Sequence, residues 1–288
     1  MAIVEASLVD AAFAKINLTL RVLGRRADGY HELESLVAFA GLADTLTLQL
    51  DAAEGLEVSG PFASLSGPAS SNLVLKARDA LRQRSGGMKA GLFLLEKNIP
   101  VAAGIGGGSA DAAAALRLLA RANGIALDDP RLREAARDVG ADVPVCLESR
   151  ARSMRGVGEK LSAPFKLPPL PAVLVNPGIP LATRDVFARY SAAPSSTSLG
   201  DPPRDRDALI EYLKQHGNDL TQAATACAPV VDGVLAALNG LPGVRLVRMS
   251  GSGATCFALF STEGEAVAAA RTLQAAHKAW WVCLSVIS

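Results

Sequence analysis

Four glycines within five residues, Gly104, Gly106, Gly107 and Gly108, are the densest chemical signal in the sequence. They follow an apolar run from Gly91 to Leu95. They precede Ala-rich sequence from Ala110 to Ala122, in which Leu116, Leu119 and Ala120 share one helical face. Strand, glycine loop and helix in that order make an anion site: glycine lets backbone N–H groups converge, and the helix N-terminus adds partial positive charge. The pattern points to a nucleotide's phosphates, with Ser109 where an N-cap belongs. It is not G-x-x-x-x-G-K-[ST], because no Lys follows the glycines. It is not G-x-G-x-x-G, because Ser109 stands three residues after Gly106. A tight loop serving only backbone geometry is the competing reading.

Three further stretches carry groups able to do chemistry. Lys15 and Asn17 share a face of a strand on which Ile16, Leu18, Leu20 and Val22 face the other way. Such a Lys faces a ligand, or water at a strand edge. Tyr30 and His31 directly follow the turn signal Asp28-Gly29. They could stack on and hydrogen-bond a flat polar ligand such as a base, or they could be incidental to a surface hairpin. Asp142, flanked by small and apolar residues before Pro144, is either a desolvated carboxylate at work or the N-cap of a short helix from Val143; the two roles are compatible. A second loop, Ser250-Gly-Ser-Gly253, offers N–H and hydroxyl donors, as an ordinary strand-to-strand turn also does.

The elements that position these groups follow from periodicity. Strands are expected at 35–40 and 44–50, with a short one near 58–65. A helix is expected from Asn72 to Leu81 with Asn72 as cap, and another beginning at Asp128-Asp129-Pro130, with Pro130 near its first turn, and running to about Val139. The stretch 151–161 reads as two short strands around a Gly turn. Four prolines between Pro164 and Pro171 suggest a domain boundary, giving an N-terminal domain at 1–165 and a C-terminal one at 166–288. After residue 170 the expected order is β-α-α-α-β-β-α-β, an α+β arrangement on an antiparallel sheet. The Ser-, Pro- and Asp-rich stretch 191–207 reads as a mobile surface loop.

Composition sets the outer limits. The 288 residues are half hydrophobic and 20% charged, with a net charge of +1, which gives no basic surface for nucleic acid or membrane. Aromatics at 5% argue against a stacking platform for single strands. Cys146, Cys227, Cys256 and Cys283 have no C-x-x-C spacing and read as buried free thiols, so a zinc site is not expected. The N-terminal residues lack a signal-peptide pattern and no window is long and apolar enough to span a membrane, so a cytoplasmic location is expected.

Pro100-Val-Ala-Ala-Gly-Ile-Gly-Gly-Gly-Ser-Ala110 resembles the phosphate loop of the GHMP kinases, the superfamily of galactokinase, homoserine kinase and mevalonate kinase. Ser250-Gly-Ser-Gly-Ala254 resembles their C-terminal glycine motif. Ala14 to Leu18, Gly24 to His31 and Gly140 to Pro144 extend the resemblance, in family order, over nearly the whole chain. It implies an N-terminal domain like the second domain of ribosomal protein S5 and a ferredoxin-like α/β-sandwich C-terminal domain. It implies ATP as co-substrate with Mg²⁺, and phosphorylation of a hydroxyl on a small-molecule substrate bearing a cytidylyl group. A monomer or weak homodimer is the expected state. By the resemblance Asp142 matches the catalytic base and Lys15 its partner. Asn17 contacts substrate, Tyr30 and His31 hold the cytosine, and Thr183 and Phe187 are further substrate contacts. Pro100, Val101, Ala102, Ala103, Gly104, Ile105, Gly106, Gly107, Gly108, Ser109 and Ala110 match the ATP phosphate loop, with Asn72 and Lys97 near the nucleotide base. Two positions depart from the family: Ala110 replaces a usual Ser, and Phe13 a common Pro.

Overall fold

Strand alternation and helix caps organise most of the chain in the computed structural model, which describes residues 7–193, 195 and 198–288. In chain order its strands and α-helices are β1 (Ser7–Asn17), β2 (Arg21–Arg25), β3 (His31–Gln49), β4 (Gly55–Ser59), α1 (Leu73–Ser85), β5 (Leu92–Glu96), α2 (Gly107–Ala122), α3 (Pro130–Val139), α4 (Val143–Cys146), β6 (Arg152–Gly156), β7 (Lys160–Leu161), β8 (Leu170–Asn176), α5 (Thr183–Arg189), α6 (Arg206–Gln215), α7 (Thr221–Cys227), α8 (Val230–Asn239), β9 (Val244–Met249), β10 (Cys256–Phe260), α9 (Glu263–Ala276) and β11 (Trp281–Ile287). The chain divides into two contact units: one of residues 1–14, 42–101 and 106–149, the other of residues 15–41, 102–105 and 150–288.

In the first unit, β5 pairs antiparallel with β3 (Thr45–Gln49) and parallel with β4. Leu46, Leu48, Phe93 and Leu95 point into the core from these strands, all at most 1% exposed. The helices α1, α2 and α3 pack together. The Ala run of α2 lets neighbours approach so closely that Ala110 to Leu116 and Leu118 to Ala120 are all buried. Local chemistry sets the helix starts. Asn72 caps α1, accepting from Val74 N at 3.0 Å, and Asp129 caps α3 with Pro130 in its first turn.

In the second unit, an antiparallel sheet runs β11-β8-β10-β9. Numbered within this region, that is strand order 4-1-3-2, as in a ferredoxin-like split βαβ. Helices α7, α8 and α9 bury Leu220, Val231, Val234, Ala266 and Leu273 against Val173, Val175, Cys256 and Phe260. On its other side β11 pairs β3 at Ile287–Ala40, and β3 pairs β2 and β6.

Several expected boundaries move. The strands expected at 35–40 and 44–50 are one strand, β3, which continues through Gly41. Ser109 is not an N-cap: α2 begins three residues earlier from Gly106, whose φ of 65° turns the chain straight into the helix. An extra helix, α6, is capped by Asp205, which accepts from Ala208 N. Within the 191–207 stretch three described residues are tied down: Ser195 N donates to Val22 O, and Ser198 Oγ and Leu199 N donate to Glu34. Residues 194, 196 and 197 lie outside the described residues.

Candidate active site

In the first unit the flanks of the glycine loop are held by a buried charge cluster. Asp44 of β3 accepts from Asn98 N and Ile99 N through Oδ1. Lys97 Nζ donates to Asp44 Oδ2, and at 2.7 Å to Asp111 Oδ2, one turn into α2. All three residues are at most 3% exposed. Burial pulls Lys97 down, but the charges of Asp111 and Asp44 outweigh it and hold the ammonium above its ordinary range. Burial pushes the Asp111 carboxyl up to about 8 against the pull of Lys97, with the Asp44 charge adding to the rise. A Cβ on Gly107 would meet Ile99 Cγ2 at 3.0 Å and Lys97 Nζ at 3.5 Å, so the helix start packs directly on this cluster. The Lys97 ammonium, expected near a nucleotide base, is thus committed to two buried carboxyl groups.

Residues 102–105 belong to the second unit, where the C-terminal glycine loop locks them in place. A Cβ on Gly104 would lie 2.5 Å from Gly253 O and 2.7 Å from Ser250 O, so only glycine fits there. Ser250 Oγ accepts from Asn17 N and donates to Gly104 O, both at 3.1 Å. Thr255 N donates to Ala103 O and Lys15 N to Ile105 O. Asn218 Nδ2 holds the loop's other side through Met249 O and Gly251 O, both at 2.8 Å. Lys15 is 4% exposed and Asn17 1%, which rules out a lysine solvated at a strand edge. Asn17 Nδ2 donates to Ser35 Oγ at 2.8 Å, while its Oδ1 is buried without a hydrogen-bond partner among the described residues. An orphaned acceptor of that kind suits a ligand donor. Ala102 adopts φ +52°, a left-handed conformation costly for a residue with a Cβ.

Beside this lies an aromatic group. His31 stacks on Phe187 of α5 with centroids 4.9 Å apart and planes at 24°, and meets Tyr190 edge-on at 6.0 Å. Burial lowers the His31 pKa, and Arg25 adds to the effect, so the imidazole is neutral at pH 7. Tyr30, the residue before His31, is 66% exposed. Thr183, at the start of α5, bonds Ser252 of the glycine loop, Oγ1 to Oγ at 2.9 Å. Phe187 and Thr183 therefore join one helix to both His31 and the glycine loop.

Asp142 is half-buried and precedes α4 in the N-cap position, but its side chain makes no cap hydrogen bond. It belongs to the first unit and Lys15 to the second. Sequence reasoning missed Asp44 and Asp111, partners of Lys97 from 53 and 14 residues away. The available signal was an Asp inside an Ala helix and another at the head of an alternating strand. Among the described residues no three His, Cys, Asp or Glu side chains converge as a metal site.

The GHMP kinases N terminal domain family matches residues 72–150, and the GHMP kinases C terminal family residues 198–279. A 4-diphosphocytidyl-2-C-methyl-D-erythritol kinase of Rhodopseudomonas palustris is 56% identical, covering 96% of both chains. One of Methylobacterium radiotolerans is 55% identical, covering 96% of this chain and 97% of its own. A crystal structure of a 4-(cytidine 5'-diphospho)-2C-methyl-D-erythritol kinase superposes with a TM-score of 0.79 at 35% identity, over 98% of this chain and 99% of that one.

Proposed function

The chain belongs to the 4-diphosphocytidyl-2-C-methyl-D-erythritol kinases within the GHMP kinases, and on that premise we propose that it transfers the γ-phosphate of ATP to the 2-hydroxyl of 4-diphosphocytidyl-2-C-methyl-D-erythritol in non-mevalonate isoprenoid synthesis. The reaction needs alignment and charge stabilisation more than covalent help. The N–H groups of the glycine loop and the start of α2 receive the β- and γ-phosphates. Asp142 accepts the proton of the attacking hydroxyl, and Lys15 stabilises the developing alkoxide. Mg²⁺ would accompany the nucleotide and would neutralise charge on its phosphates.

The observation that carries the substrate reading is the His31–Phe187 stack, with the exposed Tyr30 preceding His31 in the chain. Those rings suit the two faces and polar edge of a cytosine. The buried, unpartnered Asn17 Oδ1 supports a hydrogen bond to the substrate. We further propose domains at 1–165, binding ATP, and at 166–288. No helix among the described residues is long and apolar enough to cross a membrane. The test is coupled ADP release with ATP and Mg²⁺, comparing the cytidylyl alcohol with homoserine and mevalonate. Release with the cytidylyl alcohol alone is expected. Release with another alcohol would keep the kinase chemistry and reject the aromatic subsite.

A further inference from the structure

Arg117 is out of place in its sequence. It interrupts the Ala/Leu run of α2 between the fully buried Leu116 and Leu118, where an apolar residue would extend the core. Its guanidinium explains the exception. Nε donates to Asp10 Oδ2 at 2.9 Å, and Nη2 to Asp10 Oδ1 at 3.2 Å and Ala11 O at 2.8 Å. Nη1 donates to Cys146 O at 2.9 Å and Leu147 O at 3.4 Å. One side chain therefore joins α2, β1 and the C-terminal end of α4. One turn further along the same helix, Arg121 Nη1 donates to Val9 O at 3.0 Å and reinforces the tie to β1.

The tie to α4 matters because α4 has four residues. A single turn does not sustain itself, since nucleation costs more than one hydrogen bond returns. Its last carbonyls have no partner within the helix, and Arg117 and Ser149 Oγ supply donors for Cys146 O. Val143, Val145 and Cys146 are fully buried, but apolar packing does not fix the direction of the turn. Asp142 rides at the other end, its side chain not engaged in capping. The placing of its carboxylate follows the placing of the turn.

We propose that Arg117 is a positioning residue for phosphoryl transfer, clamping α4 against α2 and β1 so that the Asp142 carboxylate is aimed at the acceptor hydroxyl. The proposal rests on the catalytic-base reading of Asp142. Small displacements of a catalytic group cost about a hundredfold in rate. Arg117→Met should therefore lower kcat about tenfold to a hundredfold, leaving KM for ATP and for the alcohol within about twofold. Arg117→Lys keeps the charge but loses the fork, and should fall between Met and wild type. The decisive readout is the same substitution in an Asp142→Asn background, followed by single-turnover ADP formation. With the base already removed, Arg117→Met should cost less than about twofold more, because residues acting as a unit are non-additive.

An equal loss of kcat in both backgrounds would overturn the proposal, since Arg117 would then act on something other than Asp142. Unchanged kcat in Arg117→Met alone would overturn it as well. If Arg117→Met does not fold, Arg117→Lys and Asp10→Asn carry the same comparison. Near-normal turnover in Asp142→Asn alone would reject the base assignment itself, and this proposal with it, which separates that failure from a failure of Arg117.

Discussion

Replacing Lys97 by Met removes the cation that the buried Asp44 carboxylate and the Asp111 carboxyl share. Lys97 makes two ion pairs, with side-chain exposures of 4% for Lys97, 0% for Asp44 and 4% for Asp111, so water does not screen them. Removing one partner from a buried ion pair typically costs about 3–5 kcal/mol, because the remaining charge is left uncompensated. A urea titration of Lys97→Met should therefore show a loss of about 3–5 kcal/mol. Asp111→Asn is the matched control, since it keeps the shape of the protonated acid. Burial raises the Asp111 pKa in the fold, so the folded chain holds a proton that the unfolded chain releases. The stability from this group is fully present below its ordinary pKa of about 4. It is lost as pH rises through about 8, at up to about 1.4 kcal/mol per pH unit. Wild type should therefore lose stability relative to Asp111→Asn between these limits. Lys97→Met with wild-type stability and a raised KM for ATP would refute the argument and return the ammonium to a ligand contact.

Gly104→Ala should raise KM for ATP at least about tenfold while adding about 1–2 kcal/mol of backbone strain. The residue has φ +76° and its Cβ would strike Gly253 and Ser250 backbone atoms; normal ATP affinity by calorimetry would show that the loop contact is dispensable. His31→Ala should raise KM for the cytidylyl alcohol and leave KM for ATP nearly unchanged. The lowered His31 pKa keeps the imidazole neutral to more acid pH than a free one. KM for the alcohol in wild type should accordingly be flat at neutral pH and rise only on acidification, later than for a free imidazole. An equal effect of His31→Ala on both substrates would remove the aromatic subsite.

What was legible in the sequence is what local chemistry decides. Asn72 caps its helix as expected, the helix near Pro130 forms, and β8 and β10 follow apolar runs. Ser109 misleads because a hydroxyl before an Ala run looks like a cap, whereas the glycine loop already turns into the helix at Gly106. Gly41 reads as a break, yet β3 carries on through it with pairing on either side. The helix α6 was hidden behind Ser-, Pro- and Asp-rich sequence, although Leu209, Ile210 and Leu213 have helical spacing. The glycine loops and the Tyr30-His31 pair were legible as motifs. The cluster of Asp44, Lys97 and Asp111 was not, because its members meet only through tertiary structure. Arg117 is the same case: its acceptors are about thirty residues after it and more than a hundred before it.

The turnover of Asp142→Asn with ATP, Mg²⁺ and 4-diphosphocytidyl-2-C-methyl-D-erythritol tests the general-base role of Asp142 most directly. A fall in kcat of about a hundredfold or more, with both substrates still bound, is the predicted result for loss of a general base. Turnover near that of wild type would contradict it.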